Sequence, residues 1–188
     1  MKIGITGGIG SGKSYICRVL QQQHGIEVYD CDSAAKRLIV SSPSIRRRLT
    51  ALIGPHTYFD DGSLNKGAVA AYLLASEAHA NDIDRIVHPA VFRDFIESGI
   101  EWMESAIIYE SGIYRLVDRV IVVTAPQEVR IQRVMARDGI SREKVLEWMS
   151  RQMPQEEVRQ RADYEIVNDG QADLQLQLED ILESINKK

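Results

Sequence analysis

With 188 residues, 44% hydrophobic and 27% charged, the chain can bury one core of ordinary composition, which excludes a disordered tail, a disulfide-knit peptide and a repeat array. Its 23 Lys and Arg against 27 Asp and Glu leave a net charge of −4, so no global field draws it to nucleic acid or to an anionic membrane. Cys17 and Cys31 are too few for a disulfide framework, no apolar run could span a bilayer, and the Met-Lys start leads at once into a strand-like run with no signal peptide, the pattern of a cytoplasmic protein.

Ile3-Gly4-Ile5-Thr6 reads as a short buried strand, followed by glycines. A helix follows Gly12, with Ile16, Val19 and Leu20 at helical spacing, and ends at Gly25. Ile26–Tyr29 is a second strand. Residues 33–103 are mostly helical by pattern, broken at Pro43, Gly54-Pro55, Asp61-Gly62 and Pro89. Ala106–Tyr109 is the expected third strand. Val120–Val123 is apolar on both faces, as a central parallel strand needs. Helical pattern then runs from Pro126 to about Arg161, with a break near Gly139, before a fifth strand at Tyr164–Val167. Leu174, Leu178, Ile181, Leu182 and Ile185 mark a closing amphipathic helix. Alternating strands and helices predict an α/β fold with a parallel sheet covered on both faces. The long second connection is an inserted helical subdomain.

Gly7-Gly8-Ile9-Gly10-Ser11-Gly12-Lys13-Ser14 fits G-x-x-x-x-G-K-[ST], with a strand before it and a helix after. Such a loop turns backbone N–H groups inward around a β-phosphate, and the helix N-terminus adds partial positive charge. Lys13 can reach the β- and γ-phosphates, and the Ser14 hydroxyl can ligate Mg²⁺. The motif specifies nucleoside-triphosphate binding and is silent about what is done with it.

Asp30-x-Asp32 stands at the end of the second strand, where parallel sheets bind ligands. A carboxylate there can orient an acceptor hydroxyl and take its proton, while one of the pair can equally cap the next helix. Glu110 repeats the arrangement after Ile107-Ile108-Tyr109 and could support a Mg²⁺ shell. His88-Pro89 reads as a helix start with Pro in the first turn. Arg130, Arg133 and Arg137 share one helical face; Arg137, beside Asp138-Gly139, suits a mobile phosphate-covering segment, whereas Arg46-Arg47-Arg48, Arg142 and Arg159 read as solvated. Asn168-Asp169-Gly170 is a turn near which a base could rest.

Taken together these residues resemble the dephospho-coenzyme A kinase family of P-loop kinases. The resemblance spans nearly the whole chain: residues 4–14, Val28-Tyr29-Asp30-Cys31-Asp32, Ile86-Val87-His88-Pro89, Glu110, Arg137-Asp138-Gly139, Arg151-Gln152-Met153, Arg161-Ala162-Asp163 and Asn168-Asp169-Gly170. It implies transfer of the ATP γ-phosphoryl group to the ribose 3′-hydroxyl of dephospho-CoA, the last step of coenzyme A synthesis. It also implies a five-stranded parallel core at about 1–32 and 104–188, a helical acceptor-binding insert at about 33–103 and a small lid at about 137–155. Carried over by position, Gly10, Ser11, Gly12, Lys13, Ser14 and Tyr15 form the phosphate site, with Asn168, Asp169 and Gly170 beside the adenine. Lys13, Asp32 and Arg137 are the catalytic set. Asp32, His88 and Glu110 face the acceptor, and Ser14 and Glu110 serve Mg²⁺. Tyr15 stands where the family commonly has Thr, Cys31 where it has Ala, and Ala106-Ile107-Ile108-Tyr109 where it has Pro-Leu-Leu-Phe. The expected partners are ATP and dephospho-CoA, with no nucleic acid and no membrane, in a monomer or weak homo-oligomer.

A GTPase switch would need Asn-Lys-x-Asp and Asp-x-x-Gly. Asn65-Lys66-Gly67-Ala68 lacks the acid, and Asp-x-x-Gly does not occur. Another small-molecule or nucleoside-monophosphate kinase on the same scaffold shares every P-loop argument and differs only in its acceptor pocket.

Overall fold

A computed structural model describes residues 1–76 and 78–187. Five strands, β1 (Ile3–Thr6), β2 (Val28–Asp30), β3 (Trp102–Glu104), β4 (Arg119–Thr124) and β5 (Tyr164–Val167), form one sheet in the order β2-β3-β1-β4-β5. β1 pairs in parallel with β3 and β4, and β4 with β5; Ile5 lies opposite Glu104 on one side and Ile121 on the other. β1 is thus where the winding reverses, and ligands bind outside the carboxyl ends of strands at such a point.

Nine helices are present among the described residues: α1 (Lys13–His24), α2 (Cys31–Ser41), α3 (Pro43–Ile53), α4 (Lys66–Ala75), α5 (Ala78–Ser98), α6 (Gln127–Asp138), α7 (Arg142–Ser150), α8 (Gln155–Arg161) and α9 (Leu174–Asn186). None is long and apolar enough to cross a membrane. The chain divides into two compact units, Met1–Tyr29 with Glu101–Lys188, and Asp30–Ile100.

In the first unit, Ile3, Ile5, Ile121, Val123 and Ile166 of the sheet meet Ile16, Val19 and Leu20 of α1 and Leu178, Ile181 and Ile185 of α9. Full burial of each such side chain is worth about 1.5–3 kcal/mol. The α9 and α1 stripes are those the helical spacing marks. In the second unit, Ile45 and Leu49 of α3 pack with Ile86 of α5. Asp30, Ser42 and Asn65 cap α2, α3 and α4 by accepting from Ser33, Ile45 and Ala68 N–H.

Three expectations are corrected. The third strand is Trp102–Glu104, not Ala106–Tyr109; the latter run turns back, and Ile108 packs over β1 where Gly4 has no side chain. His88-Pro89 does not open a helix but lies inside α5. Pro89 leaves the Arg85 carbonyl without its helical donor, and Arg48 Nη2 donates to it at 3.4 Å. The stretch after Pro126 breaks twice, since α7 and α8 are separated by residues 151–154.

Candidate active site

The loop between β1 and α1 is built around three left-handed glycines: Gly10 and Gly12 at φ 79° and 95°, and Gly7 at φ 155° near the edge of that region. Each is also closely approached. A Cβ at Gly7 would meet the Val123 carbonyl at 2.5 Å, one at Gly10 the Arg130 carbonyl at 2.5 Å, and one at Gly12 the Asn168 amide. α1 begins at Lys13 with Gly12 as its N-cap and no side-chain cap. Of its first N–H groups that of Tyr15 bonds the Gly12 carbonyl at 2.9 Å, while those of Lys13 and Ser14 have no acceptor among the described residues; α2, α3, α4, α7 and α9 have side-chain caps, and α6 and α8 start behind prolines without one. An uncapped helix start behind a glycine cradle is an anion site.

Lys13 Nζ pairs with Glu104 Oε1 at the end of β3, and the two side chains are only 11% and 14% exposed. Glu104 therefore occupies the strand-end position that the sequence assigns to Glu110. Glu110 instead lies exposed in the following turn, where its Oε1 accepts the Met153 N–H at 2.9 Å. The misplaced strand hid Glu104; the signal available was the pair Trp102-Met103 before an acid, shorter than the apolar run that follows.

Outside the cradle, four side chains brace it. Arg130 Nε donates to the Ile9 carbonyl at 2.9 Å, and Gln152 Oε1 accepts the Ile9 N–H at 2.9 Å. Asn168 Nδ2 donates to the Ser11 carbonyl at 2.8 Å while its Oδ1 accepts from Arg133 Nη2 at 3.1 Å. Arg133 Nη1 also reaches the Gly10 and Ser11 carbonyls, at 3.4 and 3.5 Å. Burial pushes the Arg130 guanidinium pKa down. Ser11 Oγ is buried with no partner among the described residues.

Ser14 and Tyr15 are exposed on the first turn of α1. Asn168 adjoins the loop, and its side chain is spent on the brace. Asp169 Oδ1 accepts the Gln171 and Ala172 N–H groups, both at 2.8 Å; these bonds, that from Ala172 foremost, hold its carboxyl below the usual carboxylate range. Arg137, 62% exposed, forms a forked pair with Asp138 at 2.8 and 2.7 Å just before Gly139, the left-handed C-cap of α6. That bond holds the Asp138 carboxyl down and the Arg137 guanidinium up. The next helix, α7, packs Val145 against Ile131 and Val134 of α6, with Ile9 of the loop beside them.

In the second unit, Asp30 caps α2, as the alternative reading of the pair allowed, and Asp32 stands exposed in the first turn. His88 is half-buried on α5, with Nε2 3.5 Å from Asp84 Oδ1 and its ring stacked near Phe92. One arginine assigned to solvent differs: Arg46 is half-buried over the Tyr58 ring, 4.4 Å from its centroid, and donates to the Gly62 carbonyl at 2.8 Å. Arg142 pairs with Glu128 on the surface. Arg161 covers the Tyr109 ring at 4.0 Å, and Asp163 accepts the Val120 N–H at 2.8 Å, so Arg161-Ala162-Asp163 braces the fold.

A parallel sheet reversing at β1, with a glycine cradle on α1 and a lysine paired to a strand-end acid, defines a P-loop kinase. The family model for dephospho-CoA kinase matches residues 1–173. A Bacteroides fragilis dephospho-CoA kinase is 39% identical, covering 100% of this chain and 94% of that protein. A solved Thermus thermophilus structure superposes with TM-score 0.82 at 32% identity, covering 100% of this chain and 96% of the other. The dephospho-CoA kinase from Campylobacter jejuni has TM-score 0.70 at 20% identity, covering 100% and 98%, and shares the fold. The chain belongs to the dephospho-CoA kinase family, which catalyses the last step of coenzyme A biosynthesis, and is an ATP-dependent phosphotransferase.

Proposed function

We propose that the cradle and Lys13 hold the ATP phosphates while Asp32 acts on the ribose 3′-hydroxyl of dephospho-CoA. The uncapped start of α1 behind Gly10 and Gly12 carries this reading. Lys13 exchanges its pairing with Glu104 for the phosphates and stabilises the charge spread over the moving phosphoryl group. Asp32 is unencumbered by a cap, which Asp30 supplies, and so suits the orienting or proton-accepting role. His88, on the same unit, is proposed to contact the acceptor. Arg137, exposed in the last turn of α6 beside a left-handed glycine, is proposed to exchange Asp138 for phosphate when residues 137–155 cover the nucleotide.

Mg²⁺ fits this set. Ser14 offers a hydroxyl at the cradle rim and Glu104 a strand-end carboxylate. Among the described residues no cluster of three or more His, Cys, Asp or Glu could hold a metal, in keeping with an ion bound mainly by phosphates and water. An ion held there would supply charge neutralisation to the phosphates. We place the protein in the cytoplasm as a monomer or weak homo-oligomer.

The test is ATP consumption with dephospho-CoA, AMP, CMP, shikimate or no acceptor. Turnover with dephospho-CoA alone is expected. Equal turnover with AMP or CMP identifies a nucleoside-monophosphate kinase instead.

A further inference from the structure

Two guanidinium groups behind the cradle have no acidic partner. Arg130 is only 8% exposed, and Arg133 is half-buried beside it on the same face of α6. Neither has a carboxylate oxygen within 4 Å among the described residues, whereas Arg37, Arg85, Arg119, Arg137, Arg142, Arg151, Arg159 and Arg161 all do. The acceptors of Arg130 are neutral: the Ile9 carbonyl at 2.9 Å and Gln155 Oε1 at 3.4 Å. Those of Arg133 are the Gly10 and Ser11 carbonyls and Asn168 Oδ1. A Cβ at Gly8 would strike Arg130 Nη2, so the guanidinium lies directly against the loop.

A buried cation served only by neutral dipoles is costly, and the cost falls only when a counter-charge arrives. Burial as the sole influence on the Arg130 titration agrees with the absence of a nearby carboxylate. The loop that Arg130 touches is the one whose inner face is built for polyphosphate.

We propose that Arg130, backed by Arg133, is a positioning residue that supplies a preset, uncompensated positive charge behind the phosphate cradle, lowering the stability of the free protein and raising its affinity for polyphosphate. Arg130 acts through the loop backbone and through its field. The proposal rests on the cradle being the nucleotide site, and it adds the source of that affinity. The low dielectric around Arg130 keeps the charge effective where an exposed arginine would be screened. Because Arg130 meets the loop rather than the acceptor, its effect falls on nucleotide binding more than on turnover.

The experiment compares the full chain with Arg130→Gln and Arg130→Met. Glutamine retains a donor for the Ile9 carbonyl without the charge; methionine removes both. Thermal midpoints are read free and with Mg-ADP or inorganic tripolyphosphate, alongside KM and kcat with saturating dephospho-CoA. Both variants are expected to keep or raise the midpoint of the free protein. Both should lose most of the ligand-induced shift and raise the KM for ATP at least about 10-fold, with kcat within about 3-fold. Restoration of wild-type KM by glutamine would show that the hydrogen bond alone matters and overturn the charge assignment. A fall in the free midpoint with unchanged KM would make Arg130 a structural brace, again overturning it. If the wild-type protein shows no shift with Mg-ADP or tripolyphosphate, the nucleotide reading itself fails, which the variants cannot mimic.

Discussion

Lys13 and Glu104 form a nearly buried pair, so removing either leaves the other without its counter-charge. Lys13→Ala is expected to lower kcat/KM at least about 100-fold, or about 2.7 kcal/mol, with the fold kept, as steady-state rates and circular dichroism will show. The strand-end position belongs to Glu104 and not to Glu110, the only one of the two singled out from the sequence. Glu104→Gln should raise the Mg²⁺ concentration for half-maximal rate at least about 10-fold, whereas Glu110→Gln should leave it within about 2-fold, because Glu110 holds the Met153 N–H. The reverse result in a Mg²⁺ titration returns the metal to Glu110. Asp32→Asn keeps shape and loses charge. Its kcat should fall about 100-fold or more while the Kd for ATP moves less than about 3-fold; collapse of ATP binding would place Asp32 with the metal. Lys13, Ser14 and the cradle were legible residue by residue because the motif fixes their spacing. Glu104 and Arg130 were not: one sat behind a misplaced strand, and helical spacing put the other on a face with Arg133 and Arg137 without saying what that face meets.

At the scale of elements, periodicity located β1, β4, β5, α1 and α9 because their buried faces repeat at strand or helix spacing. It failed at residues 106–109, where Ile108 is buried by packing over Gly4 and Tyr109 beneath Arg161 rather than by pairing in the sheet. It failed again at Pro89, because a proline within a 21-residue helix reads locally as a helix start. The interior proline costs α5 one hydrogen bond, which Arg48 only partly replaces at 3.4 Å. Pro89 is exposed, so its replacement loses little packing. Pro89→Ala should therefore stabilise the protein by about 1–3 kcal/mol, after allowing for the greater freedom of the unfolded variant. For a chain of this size that is a rise of about 2–10 °C in thermal midpoint. A fall would mean that the Arg48 bond is worth more than the restored N–H. Because His88 adjoins Pro89, the same variant should raise the KM for dephospho-CoA.

For the whole molecule, alternating strands and helices announced the parallel α/β sheet, and the long second connection announced helices without a strand. The strand order was not legible, because apolar runs specify burial and not neighbours; β3 lies beside β1 only because the chain returns there after α5. Division into two units gives the proposed roles separate addresses. The cradle, Lys13 and Glu104 belong to one unit, and Asp32 and His88 to the other. A ligand that binds only the native state stabilises it by RT ln(1 + [L]/Kd), about 2.7 kcal/mol at 100 times Kd. Mg-ADP should therefore slow hydrogen exchange in residues 7–14, α1 and the end of β4, which pack around the cradle, while amides of α3 and α4 exchange as before. Dephospho-CoA alone should slow exchange in α2 and α5 instead, because it contacts the unit that carries Asp32 and His88. Hydrogen exchange with each ligand separately reads both effects in one intact chain. Protection of α2 and α5 by Mg-ADP alone, or of the cradle alone by dephospho-CoA, would remove the assignment of acceptor recognition to residues 30–100.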